Sequence, residues 1–522
     1  MKKILIAMAL CLCLPAAAQS LVLLHTNDTH SNIDPDANGV GGVLPRKAIV
    51  DSVRAAEKNV LLIDAGDMVQ GTLYFKFFKG DVEYPIFNMF DYDVRILGNH
   101  EFDNGLDRMA DYYRKVKGAR LSANYDFSDT SAKGLFDPYV IKKIDGKKVG
   151  FFGINVDPKS LIAEENYKGL KFKDIIPTAN ATAALLRSKG CDLVVAVTHI
   201  GYNVAGKVDD IDLARASKDI DIIIGGHSHT FVDPATPDKT PYWIPNAEGR
   251  DVLVAQTGKY GRNVGYIKLD LKDFADRKID YRYIPVTDRF DDSLYSKEIK
   301  DFLAPYKHVV DSVNSHVIAW SAMNMPNAES VGAYANWAGD FSVRYGRHIA
   351  DSLRRTGIDV PPVDLGLMNV GGIRHSMSKG PVTEGQILST FPFSNRMRLI
   401  SLSGKDLIET MRIVAPKGGE AVSGEVVVVC DTAGNFERMF VSGRPVDPDR
   451  KYVVTTIDYI AEGNDDMLPM KNHKEIWRDD KEVSVRILED LYSLTRDGIP
   501  VSADPNPRFV TDVRYNIASG KK

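Results

Sequence analysis

Five short apolar runs in the first half of the chain each end in a polar cluster that contains Asp, Asn or His. These runs lie at Leu21–Leu24, Leu61–Ile63, Ile96–Leu97, Leu193–Val197 and Ile222–Ile224. Short runs rich in branched residues are typical of strands that are buried on both faces of a sheet. Segments with helical spacing lie between them, for example at 45–58 and 177–189. This alternation predicts a layered α/β domain.

The residues directly after these runs offer carboxylate, imidazole and amide groups at the carboxyl ends of the predicted strands. They include Asp28, His30, Asp64, Asp67, Asn99, His100, Asp103, His199, His227 and His229. In open α/β sheets, ligands bind beyond the carboxyl ends of the strands. This mixture of donors suits divalent ions such as Zn²⁺, Mn²⁺ or iron, and a carboxylate can bridge two ions about 3.5–4 Å apart. Each motif alone is common by chance, but the ordered set predicts a metal site.

The motifs resemble those of the calcineurin-like metallophosphoesterase superfamily, and most closely its 5'-nucleotidase branch. The matching stretches are Thr-Asn-Asp-Thr-His at 26–30, Gly-Asp at 66–67, Gly-Asn-His-Glu-Phe-Asp at 98–103, Thr-His at 198–199 and Gly-His-Ser-His at 226–229. The resemblance implies one metal bound by Asp28, His30, Asp67 and His229. It implies a second metal bound by Asp67, Asn99, His199 and His227, with Asp67 as the bridge. It also implies that His100 and Asp103 form a catalytic dyad.

Such a dyad suits phosphoryl transfer. Water bound to a divalent ion loses its proton near neutral pH and can attack phosphorus. His100 would stabilise charge on the phosphoryl oxygens or assist the leaving group. Asp103, three residues later, would orient the imidazole and favour its protonated form. The alternative is that both side chains only cap the start of a helix.

The second half of the chain contains motifs that could bind a nucleotide. Adjacent glycines within Met368–Arg374 would let a ligand approach the backbone closely, and Arg374 could bind phosphate through two parallel hydrogen bonds. Phe393 and Tyr459 could sandwich a nucleobase, because stacking tolerates any base. Taken singly, these residues could equally be a surface turn and two core aromatics.

These segments resemble the C-terminal domain of the same 5'-nucleotidase family, whose usual pattern is Asn-Gly-Gly-Gly-Ile-Arg, Pro-Phe-Gly-Asn and Phe-Leu-Ala-x-Gly-Gly-Asp-Gly. The resemblance implies that the substrate contacts Arg344, Asn369, Arg374, Phe393, Tyr459 and Asp465. The chain departs from the pattern at Val370, Ser394, Tyr459, Asn464 and Asp466. The aromatic pair survives, because Tyr and Phe both stack. His348 stands where a second helical arginine is expected, which would make a phosphate contact there pH-dependent.

Four parts of the chain are predicted. Residues 1–18 form a signal peptide, because Lys2 and Lys3 precede an apolar run and Ala16–Ala18 offers a small-residue cleavage site. Residues 19–290 form an α/β metallophosphoesterase domain, a four-layered β-sandwich flanked by helices. Residues 291–316 are a helical linker, and residues 317–517 are a second, α+β substrate-binding domain. Of the cysteines outside the signal peptide, Cys191 and Cys430 are expected to be unpaired.

The charge and the apolar content of the sequence restrict the classes of binding partner that we expect. A formal net charge of −4 gives no basic excess for binding a nucleic-acid polymer. The signal peptide predicts export to the periplasm or the medium, and its apolar run is shorter than the roughly 20 residues that a membrane span needs. No other stretch is long and apolar enough to span a membrane. We expect a monomer that binds a small-molecule nucleotide.

The leading hypothesis is an exported hydrolase that uses two divalent metal ions (Zn²⁺, Mn²⁺ or similar) to convert nucleoside 5'-monophosphates to nucleoside and phosphate. Relatives split UDP-sugars or 2',3'-cyclic nucleotides, so these remain alternative substrates. A related thiosulfohydrolase would act on a group bound to a carrier-protein cysteine and would need no base clamp. A non-catalytic binding protein is the last alternative. Because catalytic and substrate-binding groups lie on separate domains, we expect a hinge near residues 290–320.

Overall fold

The structure is a computed structural model that describes residues 20–511 except 160, 272–278, 288–293 and 328–330. The predicted signal peptide, the first residues of the predicted linker and the C-terminal tail therefore lie outside the described residues. We call residues 20–287 the N-terminal half and residues 317–511 the C-terminal half. Helix α7, defined below, connects them.

Strands alternate with helices along the N-terminal half. Its strands are β1 (Ser20–Thr26), β2 (Val60–Asp64), β3 (Val94–Arg95), β4 (Ala119–Arg120), β5 (Tyr125–Asp126), β6 (Tyr139–Ile144), β7 (Lys147–Asn155), β8 (Lys171–Phe172), β9 (Leu193–His199), β10 (Ile222–Ile224), β11 (Trp243–Pro245), β12 (Asp251–Ala255), β13 (Asn263–Asp270) and β14 (Ile279–Pro285). Its helices are α1 (Val43–Ala56), α2 (Leu73–Phe78), α3 (Glu83–Met89), α4 (Leu106–Tyr113), α5 (Ile175–Ser188) and α6 (Asp210–Ala216).

Within the described residues, most strands of the N-terminal half form two six-stranded sheets that pack face to face. Their strand orders are β14-β13-β1-β2-β3-β4 and β11-β12-β10-β9-β7-β6. Apolar side chains of both sheets, including Leu23, Phe151 and Val195, are buried together between them. Helices α1 to α4 cover one outer face, and α5 and α6 cover the other. The predicted four-layered β-sandwich flanked by helices is confirmed.

Parallel pairing places the carboxyl ends of several strands at one edge of this sandwich. In the first sheet β1, β2 and β3 are parallel neighbours, and in the second β9 lies parallel between β7 and β10. The polar clusters found in the sequence follow these strand ends. Both sheets therefore contribute side chains to the same edge.

Helix α7 (Lys297–Ser315) leads to the C-terminal half. The strands of this half are β15 (Val317–Ser321), β16 (Leu365–Met368), β17 (Gly380–Thr383), β18 (Arg396–Ser403), β19 (Ala421–Val422), β20 (Val426–Cys430), β21 (Phe436–Val441), β22 (Arg444–Pro445), β23 (Lys451–Ile457), β24 (Lys474–Glu482) and β25 (Phe509–Val510). Its helices are α8 (Ala333–Arg355), α9 (Glu384–Thr390), α10 (Gly404–Val414), α11 (Asp458–Ala461) and α12 (Val483–Arg496).

The C-terminal half has the predicted α+β organisation. Its largest sheet in the described residues has the order β19-β16-β23-β18-β24, and α8 packs on it. The sheet brings β18 between β23 and β24, which places the loops before and after these strands side by side. Cys191 and Cys430 are both buried and unpaired, as expected. None of the helices described here combines the length and the apolarity that crossing a membrane requires.

Two adjacent leucines of α5 test the packing of this helix on the sandwich. Leu186 is fully buried, whereas Leu185 is 42% exposed. Leu186→Ala is expected to lower the free energy of unfolding by about 2–5 kcal/mol, because it removes buried methyl groups and leaves a cavity. Leu185→Ala should change it by less than about 0.5 kcal/mol. Urea unfolding measures both, and equal losses in the two variants would contradict the packing.

Candidate metal centre and substrate cleft

The seven predicted metal ligands come together at the edge where the parallel strands end. Three groups of ligand atoms each lie within 4.8 Å of one another: Asp28, His30 and His229; His30, Asp67 and His100; and Asp67, His199 and His227. Asn99 joins the last group, since its Oδ1 lies 2.9 Å from His227 Nδ1. His30 and Asp67 each belong to two groups, so the cluster is continuous.

One end of the cluster is formed by two imidazoles and a carboxylate. The Nε2 atoms of His30 and His229 lie 2.9 Å apart. Asp28 Oδ1 lies 3.8 Å from His30 Nε2 and 3.5 Å from His229 Nε2. Burial lowers the pKa of both imidazoles well below its usual value, so both rings are neutral. Neutral imidazoles that converge with a carboxylate are suited to hold a divalent cation.

The other end centres on Asp67 and His199, whose Oδ2 and Nε2 atoms lie 3.1 Å apart. His199 Nδ1 donates to the carbonyl of Ala65 at 2.7 Å, which orients the ring and directs Nε2 into the cluster. Burial alone would lower the pKa of His199, but the charge of Asp67 raises it to about 10. Burial raises the pKa of Asp28 to about 7. In the absence of a cation, these raised pKa values therefore favour the protonated forms of His199 and Asp28.

Five of these ligands have a left-handed backbone, which is uncommon for residues other than glycine. Their φ angles are 49° at Asp28, 45° at His30, 54° at Asp67, 83° at His227 and 58° at His229. Each such residue costs on the order of 1–3 kcal/mol, and such strain clusters at functional sites. The turns after the strands are therefore held by the surrounding structure in conformations that direct side chains into the cluster.

Glu101 stabilises two of these turns, a role that its place in the motif did not indicate. Its carboxylate accepts hydrogen bonds from the backbone N–H groups of Asp67 at 3.1 Å, Met68 at 2.9 Å and Gly98 at 2.5 Å. The side chain is only 3% exposed. Removing it would leave three buried donors without a partner, which is costly. A side-chain acceptor for backbone N–H groups carries no local sequence signal beyond the adjacent ligands.

His100 and Asp103 form a hydrogen-bonded pair, with Nδ1 and Oδ2 2.9 Å apart. Burial disfavours the imidazolium, but the charges of Asp103 and Asp67 outweigh it and raise the pKa of His100. A single-turn helix spans His100–Phe102, and neither it nor α4 has a side-chain cap. The pair is therefore not a helix cap.

A cavity of about 660 Å³ extends from the metal cluster into the C-terminal half. Its walls include the predicted metal ligand Asn99, the predicted dyad, and most of the predicted substrate contacts, namely Asn369, Arg374, Phe393, Tyr459 and Asp465. The dyad residues in the lining are His100 and Asp103. The ring centroids of Phe393 and His100 are 6.0 Å apart. The dyad and the aromatic residues thus face the same space.

Hydrogen bonds hold some of the cleft side chains in position, and Arg374 lies beside an aromatic ring with donors left unpaired. The Tyr459 hydroxyl donates to Asp465 Oδ1 at 2.9 Å, and Asn369 donates to Asp465 Oδ2 at 3.4 Å. The Arg374 guanidinium lies 5.8 Å from the centroid of Phe393. Its Nε and one terminal nitrogen are buried with no hydrogen-bond partner in the described part of the chain. Buried, unpaired donors on a cation favour an anionic ligand.

Arg344 lies apart from the other predicted substrate contacts. This residue lies on a face of α8 that is turned toward α12, where it pairs with Asp490 at 2.8 Å and is 44% exposed. It is not among the residues that line the cleft. Sequence reasoning instead missed four cationic side chains that do line it: Lys79, Arg396, Arg398 and Arg478. The last three come from the neighbouring strands β18 and β24, whose pairing has no local sequence signal.

Comparison with known proteins agrees with this arrangement. Residues 21–231 match the family described as calcineurin-like phosphoesterase, and residues 331–473 match the 5'-nucleotidase C-terminal domain. An apyrase of Tabanus yao is 28% identical over 501 residues, which covers 88% of each chain. A 5'-nucleotidase of Mus musculus is 26% identical over 505 residues, covering 88% of this chain and 85% of the relative. The crystal structure of a 5'-nucleotidase precursor from Thermus thermophilus has a TM-score of 0.80 at 27% identity, covering 95% of this chain and 100% of that chain.

Cation binding at the cluster is expected to weaken as the pH falls from about 8 to about 6. His199, with a pKa raised to about 10, and Asp28, raised to about 7, must release protons when a cation binds. His30, His227 and His229 have lowered pKa values and are already neutral in this range. Each released proton changes the affinity about tenfold per pH unit. Calorimetric titration with Mn²⁺ measures this, and a dissociation constant independent of pH would contradict it.

Proposed function

Since this chain is a metal-dependent phosphoester hydrolase of the 5'-nucleotidase family, we propose that it hydrolyses nucleoside 5'-monophosphates to nucleoside and phosphate. One observation carries the proposal: a single cavity is lined both by the His100–Asp103 pair and by Phe393, Tyr459 and Asp465. A nucleotide has a phosphate at one end and an aromatic base at the other. It can therefore contact the dyad with its phosphate and the aromatic residues with its base in the same cavity.

The metal cluster would hold two divalent cations with Asp67 between them. Asp28, His30 and His229 form one group of ligand atoms, and Asp67, His199 and His227, joined by Asn99, form another. When bound, such ions activate water for attack on phosphorus and stabilise charge on the phosphoryl oxygens. The donor set of imidazole, carboxylate and one amide oxygen suits zinc, manganese or a similar metal.

Three side chains of the cleft would act directly on the phosphate end. His100 has a raised pKa, so its imidazolium can stabilise the charge that develops on the phosphoryl group or donate a proton to the leaving oxygen. Asp103 accepts the hydrogen bond from the ring and keeps it oriented. Arg374 has buried guanidinium donors, unpaired among the described residues, that can bind a phosphate oxygen.

The base and ribose would be bound in the C-terminal half. The rings of Phe393 and Tyr459 offer faces on which a base can stack. Asp465 is held by Tyr459 and Asn369, and its carboxylate can accept hydrogen bonds from ribose hydroxyls. The Tyr459 hydroxyl, where the family pattern has Phe, thus links the stacking ring to the ribose site. UDP-sugars and 2',3'-cyclic nucleotides share these groups and belong in the substrate screen.

Export to the periplasm or the medium is part of the proposal. It is supported by the order of charged, apolar and small residues in positions 1–18. A nucleotidase in that location would act on nucleotides outside the cytoplasm. Sequencing the N-terminus of the protein recovered from the host's periplasm or medium tests this part.

Removing either aromatic face should lower activity on nucleotides selectively. Phe393→Ala and Tyr459→Ala are each expected to lower kcat/KM for AMP about 10–100-fold, because a stacked base contributes about 1–3 kcal/mol. Hydrolysis of ribose 5-phosphate, which has the same ester but no base, should change little. Phosphate release with Mn²⁺ or Zn²⁺ is the measurement, and Tyr492→Ala, an exposed tyrosine far from the cleft lining, is the control.

Two outcomes would overturn the nucleotidase proposal. The first is a wild-type protein that releases phosphate from no nucleotide, which would favour the thiosulfohydrolase or the binding-protein alternative. The second is unchanged activity on AMP in both aromatic variants. A screen of monophosphates, UDP-glucose and cyclic nucleotides then ranks the substrates.

A further inference from the structure

A short segment of the N-terminal half contacts the loops that carry the substrate-binding residues. This docking segment, residues 70–79, includes α2, which packs against α9 of the C-terminal half. His375, next to Arg374, has its Nε2 3.1 Å from the carbonyl oxygen of Gly71. Lys76 Nζ donates to Glu482 Oε2 at 2.8 Å and to the carbonyl oxygen of Pro392 at 3.4 Å. The segment therefore contacts the neighbours of both Arg374 and Phe393.

Lys76 is the most deeply placed charge in this contact. Its side chain is 8% exposed, and that of Glu482 is 31% exposed. Burial lowers the pKa of Lys76, while the charge and hydrogen bond of Glu482 oppose this. An ammonium group that is removed from water needs both a counter-charge and hydrogen-bond acceptors. Glu482 and the Pro392 carbonyl supply them, so the pair is ordered rather than a flexible surface contact.

Glu482 is in turn joined to the loop that carries Phe393. It lies opposite Arg396 in the pairing of β18 with β24. The next residue, Val483, donates its backbone N–H to the carbonyl oxygen of Asn395 at 2.8 Å. The Ser394 side chain lies near Glu482 and helps to lower the pKa of that carboxyl. Ser394 is one of the positions where the sequence departs from the family pattern, which has Gly there.

Lys76 and Glu482 thus restrain the chain on both sides of Phe393. Pro392, before it, accepts from Lys76, and Asn395, after it, accepts from the backbone of Val483, the residue next to Glu482. The Phe393 ring itself is only partly buried, with its centroid 6.0 Å from that of His100. Its position relative to the metal cluster therefore depends on how its loop is held.

We infer that Lys76 is a positioning residue: from the metal-binding half, it fixes the Phe393 loop and so sets the distance between a stacked base and the metal cluster. The inference rests on the proposed nucleotidase function for its catalytic consequence. Its structural part, the restraint of the loop by Lys76, stands independently of the substrate.

The first test compares two substrates in the metal-loaded protein. Lys76→Met should raise KM for AMP about tenfold, at the lower end of what loss of a stacked base costs. Hydrolysis of ribose 5-phosphate should stay within about twofold, because that substrate makes no contact with Phe393 through a base. Ser394→Gly should shift KM for AMP in the same direction by a smaller factor.

The double exchange of Lys76→Glu with Glu482→Lys should restore part of the loss in KM. Lys58→Met, which removes an exposed ion pair with Asp145, is the control.

The second test needs no nucleotide. Hydrogen–deuterium exchange of the backbone amides of residues 393–396 should be faster in Lys76→Met than in the wild type, with melting temperatures and metal content compared alongside. Unchanged exchange in this loop would overturn the inference whatever the activity, as would equal losses on AMP and ribose 5-phosphate. A wild type that hydrolyses ribose 5-phosphate but no nucleotide would instead refute the proposed function, and the exchange rates would then decide the role of Lys76. If Lys76→Met does not fold, Glu482→Gln, which removes the counter-charge of Lys76, provides both readouts.

Discussion

The buried carboxylate of Glu101 binds the backbone of two strand-end turns, and most of the reactive groups depend on the position of those turns. It accepts from Asp67 and Met68 after β2 and from Gly98 after β3. Asp67 then contacts His199 through one oxygen, while its other oxygen accepts from the backbone N–H of His100 at 2.8 Å. A side chain at Gly98 would collide with the Asp67 carboxylate, so glycine is required there. The bridge position and the dyad are therefore set by one hydrogen-bonded unit.

The two halves of the molecule divide the work. In the proposed mechanism, the N-terminal half would supply the cation ligands and the His100–Asp103 pair, and these would determine which bond is broken. The C-terminal half would supply Arg374 for the phosphate and the rings of Phe393 and Tyr459 for the base, and these would determine which molecule is bound. Neither half would suffice for hydrolysis alone, because a nucleotide whose base is bound far from the cluster could not place its phosphate beside the metal site. The contact of Lys76 with Glu482 matters for this reason: it joins the two sets of residues across the cleft.

The side-chain cluster of the N-terminal half could be predicted from the sequence because its sequence signals are local. An apolar run followed at once by Asp, Asn or His identifies both the strand and the side chain at its carboxyl end, and parallel pairing then brings the ends together. The position of Arg344 could not be predicted, because the face of α8 that meets the cleft depends on how the helix packs. Lys76 and Glu482 are 406 positions apart in the chain, and Arg398 and Arg478 meet only through strand pairing. Contacts of this kind depend on tertiary structure alone.

The proposed chemistry depends on a pair of divalent cations that bind on either side of Asp67. Anomalous diffraction from crystals grown with Mn²⁺ tests this pair without reference to activity, because it locates each ion. We expect two peaks about 3.5–4 Å apart, one beside Asp28, His30 and His229 and the other beside Asn99, His199 and His227, with Asp67 between them. A single peak, or two peaks that do not share Asp67, would contradict the proposed site.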